Sequence, residues 1–319
     1  MLIRYIARRL VTAFLVVLIV MAFLAVLDRF IPGNPVTFIF GPRASPELIH
    51  QVRHEMGLDV SVPVQIYQYI FNALHANLGV DFVTNKSVAS LIAENLPYTV
   101  VLAFSGLGLA ILFGVPLGVI AATRPGGIVD RVIGIVSVSV ITAPSFVLGL
   151  LLILVFAVHL HLFPVIGAGN PGQPIDDVKH LILPAAALAI SWIGYFARLV
   201  RSNMLEVLTA NYVRTARAFG VQSWKIFYKH ALKNAAAPVV AVLGVALGST
   251  LGGAIFIEVI FNRPGLGTLA YDAIGSRNYP IVQGTALTIA LMVIGANLLA
   301  DFTYRLLDSR IRLGQTAAA

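Results

Sequence analysis

Five Lys/Arg and no acid stand between Asn211 and Asn234, in NYVRTARAFGVQSWKIFYKHALKN, within a chain that is only 11% charged. Such side chains bind anionic surfaces or acidic grooves; without a nucleophile and base beside them they do no bond chemistry. Read as a helix over about 205–219 ended by Gly220, the stretch puts Val207, Val213 and Ala216 near one side and Arg214 and Arg217 toward others. Ser223 then opens a second helix. On it Trp224, Phe227, Tyr228 and Ala231 recur at helical spacing, with Lys225, Lys229 and Lys233 opposite. The expected product is a helix, a glycine turn and a helix. Such a corner suits a groove in a partner protein; composition alone also allows a basic loop lying on anionic lipid.

Other residues able to do chemistry are sparse. His159 and His161 stand two apart at the end of an apolar run, point to different sides, and read as interfacial polar residues, so no metal site is expected. There is no GxxxxGK[ST] phosphate loop, no HExxH, and no GxSG pattern whose serine has an obvious membrane-embedded histidine partner. No catalytic residue is assigned, and the chain is not expected to be an enzyme. The absence of cysteine excludes disulfides and thiolate zinc sites.

The elements that must position the basic stretch follow from composition. With 319 residues, 58% hydrophobic content and a mean hydropathy of +0.89, the chain holds more apolar side chains than a soluble domain of its size can bury. The expected fold is an all-α polytopic membrane protein. Uncharged runs at 10–27, 95–123, 132–175, 181–197, 234–257 and 278–300 match the roughly 17–25 residues that cross a bilayer. The third is too long for one span, and the breakers of HLHLFPVIGAGNPGQP end its helix near His159. This gives six transmembrane helices. With both termini in the cytoplasm, 15 of the 22 Lys/Arg but only 4 of the 14 acids fall inside, as the positive-inside rule requires. The net charge of +8 is thus read against a membrane, with lipid and not nucleic acid as its partner. Arg8 and Arg9 before the first apolar run also fit a signal peptide, but no small-x-small cleavage pattern stands near Asp28, which favours an uncleaved span.

The chain divides into a cytoplasmic amino terminus and first span (1–27), an extracytoplasmic helical segment (28–94), a five-helix core (95–304) containing the cytoplasmic loop 198–233, and a cytoplasmic tail (305–319). In the external segment Ser45 caps a helix with Pro46 at its first position and Gly57 as its stop, and a second helix follows over about 62–76. The uncharged runs contain no Asp, Glu, Lys or Arg, whereas ion-coupled carriers place ionisable groups at mid-membrane depth. Glu258 and Asp301 sit at span ends. Pro116 and Pro144 read as simple kinks rather than the broken helices of secondary transporters. Energy for uphill transport is therefore expected from outside this chain. Gly244, Gly248 and Gly252 repeat every four residues, as do Gly114 and Gly118, a spacing that favours close helix packing within the chain or against a partner.

The segments YVRTARAFG and KHALKNAAAPVV resemble the cytoplasmic signature loop of permease subunits of ATP-binding-cassette importers, in the dipeptide, oligopeptide and nickel branch. The resemblance extends over IPGNP at 31–35, MGLDVSVPVQIYQY at 56–69, LGVDF at 78–82, ENLPYTVVL at 94–102 and FNRPGLGTLAYDAIGSRNYPIVQG at 261–284. It implies the type I importer permease fold, and a coupling helix that docks into a cytoplasmic ATPase. Arg214 and Thr215 stand where the broad importer pattern has an acid and its first alanine; Ala216 and Gly220 match. Of the downstream apolar-x-leucine-proline element, over His230, Ala231, Leu232 and Lys233, only Leu232 fits. Arg214, Thr215, Ala216, Arg217, Gly220, His230, Leu232 and Asn234 are the coupling-loop residues so implied. Arg263, Pro264, Gly265, Leu266 and Gly267, with Glu258 before them, are implied to form a tight external turn facing a docked solute-binding protein. Further implied partners are a second homologous permease and two ATPase subunits or domains holding ATP and Mg, with no cofactor in this chain, in a bacterial or archaeal cytoplasmic membrane. The cargo so implied is a dipeptide or oligopeptide; the alternatives are nickel, glutathione or another small solute, or an independent channel or secondary carrier.

Overall fold

The computed structural model describes residues 2–30, 45, 47, 59–170 and 172–307. The helix expected after Ser45, including Pro46 and Gly57, lies almost wholly outside the described residues, as do 31–35 and the tail from 308. Among the described residues the chain is helical, with a single isolated bridge, Val80 to Ser87, as its only extended pairing.

The apolar runs become helices because a backbone in hydrocarbon must satisfy its own amides. They are α1 (Leu2–Phe30), α2 (Val62–Leu74), α3 (Val88–Thr123), α4 (Ile128–Thr142), α5 (Ser145–Leu152) and α6 (Pro174–Val207). Then follow α7 (Asn211–Ala218), α8 (Ser223–Lys225), α9 (Leu232–Ala235), α10 (Ala237–Ile260), α11 (Leu266–Gly275) and α12 (Tyr279–Leu307). Two stretches are π-helical: Ile153–His159, continuing α5, and Ile226–Ala231, joining α8 to α9. Among the described residues five helices are long and apolar enough to span a membrane, in α1, α3, α6, α10 and α12; α4 with the α5 segment makes a sixth if that pair is one broken span.

That break corrects the expectation of a simple kink at Pro144. Between Thr142 and Ser145 the chain bends by 108°. Ala143 is extended (φ −78°, ψ 128°), as a residue before proline prefers, and Pro144 is extended too, so two consecutive residues leave the helix. Pro116 and Pro184 instead lie inside continuous helices. The expected helix over 205–219 is also interrupted. α6 ends at Val207, and Leu208, Thr209 and Ala210 turn the chain before α7 begins.

The chain forms two compact units, each assembled from separate stretches. One comprises 1–100 and 262–295, the other 101–261 and 296–319. In the first, Met21 and Leu24 of α1 pack with Leu287 of α12, and Val88 and Ile92 of α3 pack with Leu266, Ala273 and Ile281. In the second, α6 is the central helix. Phe196, Val200 and Met204 pack with Ala110, Val119, Ala231, Ala235 and Ala246, while Leu183, Ala187 and Leu188 pack with Ala157, Ala254 and Ile257. Lipid tails are as apolar as these side chains, so close fit rather than water exclusion holds the spans together.

Candidate functional site

The basic stretch is built on the end of α6. Val213, Ile226, Ala231 and Ala235 are buried, and Ala231 and Ala235 share a core cluster with Val200 and Met204, joined at its edge by Leu205, Phe227 and Leu232. The Asn234 amide donates to the Tyr212 hydroxyl at 2.7 Å, tying the far end of the stretch to its beginning. α7 closes with Val221 N donating to Ala216 O (3.1 Å) and Gly220 N to Arg217 O (3.0 Å), and Gly220 adopts φ +74°. This is the reciprocal pair of a Schellman cap, which requires a left-handed residue at the Gly220 position.

The corner projects large side chains. Phe219 is 84% exposed, and Trp224 and Tyr228 are exposed as well; Arg214, Thr215, Arg217 and Lys225 stand beside them in solvent. The Trp224 indole donates to Gln222 Oε1, and the Lys225 ammonium lies 5.6 Å from its ring centre. The stripe read at helical spacing, Trp224, Phe227, Tyr228 and Ala231, is therefore split: Trp224 and Tyr228 face outward, while Phe227 and Ala231 pack on the core. The physical reason is the π-helical segment: Ile226 and Ala231, five apart, are the buried pair, matching i to i+5 bonding rather than a 3.6-residue period. His230 on this segment and Leu232 at the start of α9 are half-buried, and Ala216 is half-buried beneath the turn.

Arg263, Gly265, Leu266 and Gly267 are buried and Pro264 half-buried, so the tight turn expected here is held among this chain's own residues. Leu266 N donates to Thr99 Oγ1 at 2.9 Å, Thr268 Oγ1 donates to Arg263 O at 2.7 Å, and the Arg263 guanidinium lies 5.8 Å from the Tyr98 ring centre. The motif starts α11 and is tied to Tyr98 and Thr99 of α3 by these contacts. Tyr271, Asp272 and Ile274 of α11 carry the exposed surface. Glu258, in the last turn of α10, is fully buried.

Gly114 and Gly118 lie against α6. A Cβ at Gly114 would stand 2.9 Å from Ile193 O, and one at Gly118 would stand 2.6 Å from Ala197 O. At Gly244 it would come within 1.9 Å of the Ala300 Cβ. Gly248 is buried, whereas Gly252 faces no atom within 4 Å, so the close packing expected of the fifth-run trio is not made there by a described residue of this chain.

Two polar links escaped sequence reading. The Arg201 guanidinium on α6 donates through Nε and Nη2 to the carboxylate of Asp130 on α4, which also accepts from Gly126 N at 2.8 Å. Asp81 accepts from Val83 N (3.0 Å), Thr84 N (3.2 Å), the Thr84 hydroxyl and the Asn278 amide. Burial pushes the Asp81 carboxyl up, but these bonds outweigh it and hold the group below the ordinary carboxylate value. The partners are 71 and 197 residues apart, and no local pattern pairs them.

Comparison with known proteins covers almost the whole chain. Residues 114–313 match the family described as binding-protein-dependent transport system inner membrane component, and residues 1–103 match its amino-terminal companion. A probable peptide ABC transporter permease of Sinorhizobium fredii is 38% identical over 309 residues, covering 97% of this chain and 99% of that protein. The glutathione transport system permease GsiC of Escherichia coli O6:H1 is 37% identical over 308 residues, covering 97% and 98%. Among solved structures, the inward-facing MetNI methionine ABC transporter matches with a TM-score of 0.52 at 20% identity over 68% of this chain and 96% of the matched one, a likeness of fold. An all-helical polytopic chain with a Schellman-capped basic corner, matched from end to end by these permeases, belongs to the family of binding-protein-dependent transport system inner-membrane components.

Proposed function

We propose that the chain forms half of the translocation pathway of an ABC importer for dipeptides or oligopeptides in a bacterial or archaeal cytoplasmic membrane. The other half is a second homologous permease. A solute-binding protein delivers cargo on one side, and two ATPase subunits or domains on the other side bind ATP with Mg and drive the cycle. The observation that carries the reading is the Ala216 to Gly220 corner. Its cap fixes the shape, Phe219 projects almost fully exposed, and the segment behind it packs on α6, so force applied at the corner reaches a spanning helix. The names of the peptide and glutathione permeases support the cargo class.

Two substitutions test the docking. Gly220→Pro removes an amide donor and forbids the left-handed backbone, while Ala216→Arg places a charge where burial costs several kcal/mol. Uptake and transport-stimulated ATP hydrolysis are expected to fall together at normal permease abundance. Because the chain has no cysteine, an Arg217→Cys variant supplies one cross-linking site, expected to join the ATPase. A loop that merely lay on lipid would tolerate both changes and respond most to neutralising Lys225, Lys229 and Lys233 together, at about 1 kcal/mol each. Normal ATP-driven uptake by the assembled Ala216→Arg transporter overturns the docking.

A further inference from the structure

Helix α2 carries no charged residue from Val62 to Leu74, and its surroundings place it at the margin of the apolar layer. Gln65 is buried, while Tyr69, Ile70 and Ala73 pack against Met21 and Leu24 of α1 and Leu287 of α12. The Tyr69 hydroxyl donates to Gln283 O at 3.4 Å, and the Gln283 amide donates to Leu24 O at 2.9 Å. Leu24 lies within the apolar stretch Ile6–Leu27, about 4.5 Å from its end at 1.5 Å per residue. Gln283 and Leu287 lie near the start of the stretch Tyr279–Thr303. Arg29, just past the apolar part of α1, reaches to Gln65 Oε1 at 2.7 Å and to Val60 O.

The rest of α2 is two-sided. Val64, Tyr67, Phe71 and Leu74 are exposed, and at about 100° per residue they fall within an arc of about 80°. Gln68, Asn72 and His75 are exposed on the adjoining arc. The ring centres of Tyr67 and Phe71 are 6.1 Å apart, and those of Phe71 and His75 4.4 Å. One flank on protein, one apolar and aromatic, and one polar describe a helix at a lipid–water boundary, where Tyr is enriched. A docking face for a soluble protein would leave the apolar flank wetted between encounters; lipid covers it throughout.

We propose that α2 is an interfacial helix, with Val64, Tyr67, Phe71 and Leu74 seated among acyl chains beneath the headgroups and Gln68, Asn72 and His75 turned to water. The surface is a lipid contact independent of which solute is carried. The native chain is cysteine-free, so single variants Tyr67→Cys, Phe71→Cys, Leu74→Cys, Gln68→Cys and Asn72→Cys can be nitroxide-labelled in the assembled transporter in phosphatidylethanolamine–phosphatidylglycerol liposomes. Labels at 67, 71 and 74 are expected to collide severalfold more with oxygen than with an aqueous nickel chelate, and labels at 68 and 72 the reverse. Saturating solute-binding protein is expected to change none of them. A chelate preference at 71 and 74, or shielding of these labels by the binding protein, overturns the proposal. If Phe71→Cys fails to assemble, the more exposed positions 67 and 74 decide the matter.

Discussion

At Gly118 a single methyl group would strike the carbonyl of Ala197 and the side chain of Val200, whereas at Gly252 it would meet no described atom of this chain within 4 Å. Gly118→Val is therefore expected to lower the stability of the detergent-solubilised transporter by about 1–3 kcal/mol, the usual cost of overpacking, and Gly252→Ala to leave it unchanged. Thermal inactivation of the two variants checks both. The four-residue spacing announced close approach equally at every glycine, so sequence showed the device without showing where it operates. Asp81 is a contrasting case, since nothing near LGVDF in the sequence names Asn278. Asp81→Ala removes the acceptor of four donors and is expected to cost about 1–3 kcal/mol. Because the folded carboxyl lies below its unfolded value, its stabilisation is present above the ordinary carboxylate pKa and fades as pH falls through the lowered one. The wild-type melting temperature should fall more than that of Asp81→Ala on acidification below pH about 4.

Elements were legible where their period was regular. The apolar runs marked the spanning helices, and the breakers after His159 ended one of them at the position observed. Two features hid from a 3.6-residue reading: the π-helical Ile226–Ala231, whose buried pair stands five residues apart, and the 108° bend at Pro144. If α4 and the α5 segment form one broken span, a reporter fused at residue 170 faces opposite to reporters at 127 and 220. If they form a re-entrant loop, 170 reports the same side as 127, and 220 the opposite. The first outcome is expected, since it keeps the basic stretch on the positive side. The α4 to α6 ion pair also belongs to this scale. Removing only the cation, by Arg201→Ala, leaves the Asp130 carboxylate without its guanidinium; because the Arg201 side chain is one-third exposed, the expected cost is about 1–3 kcal/mol. Replacing both with isosteric neutral residues should recover most of that loss in the same melting assay.

For the molecule as a whole, hydropathy and an ordered set of motifs disclosed the fold and the family, while the two compact units, each drawn from two separate stretches, left no local mark in the sequence. The purified chain alone is expected to bind no ATP, and saturable nucleotide binding would contradict an energy source in partner subunits. The interleaved units also impose an order on biosynthesis. Val88 and Ile92 complete their cluster with Leu266, Ala273 and Ile281, so residues 1–100 emerge with half of their own core still untranslated. Synthesis of 101–261 intervenes, roughly 10–30 s at about 5–20 residues per second. During that interval the other unit can gather around α6 while the first waits in the membrane with an unfilled face. A ribosome-arrested chain ending at 261 should leave residues 59–100 open to proteolysis, and one extended beyond 295 should close them. The part of the protein made first is thus finished late, with the window for chaperone or insertase contact written into the topology.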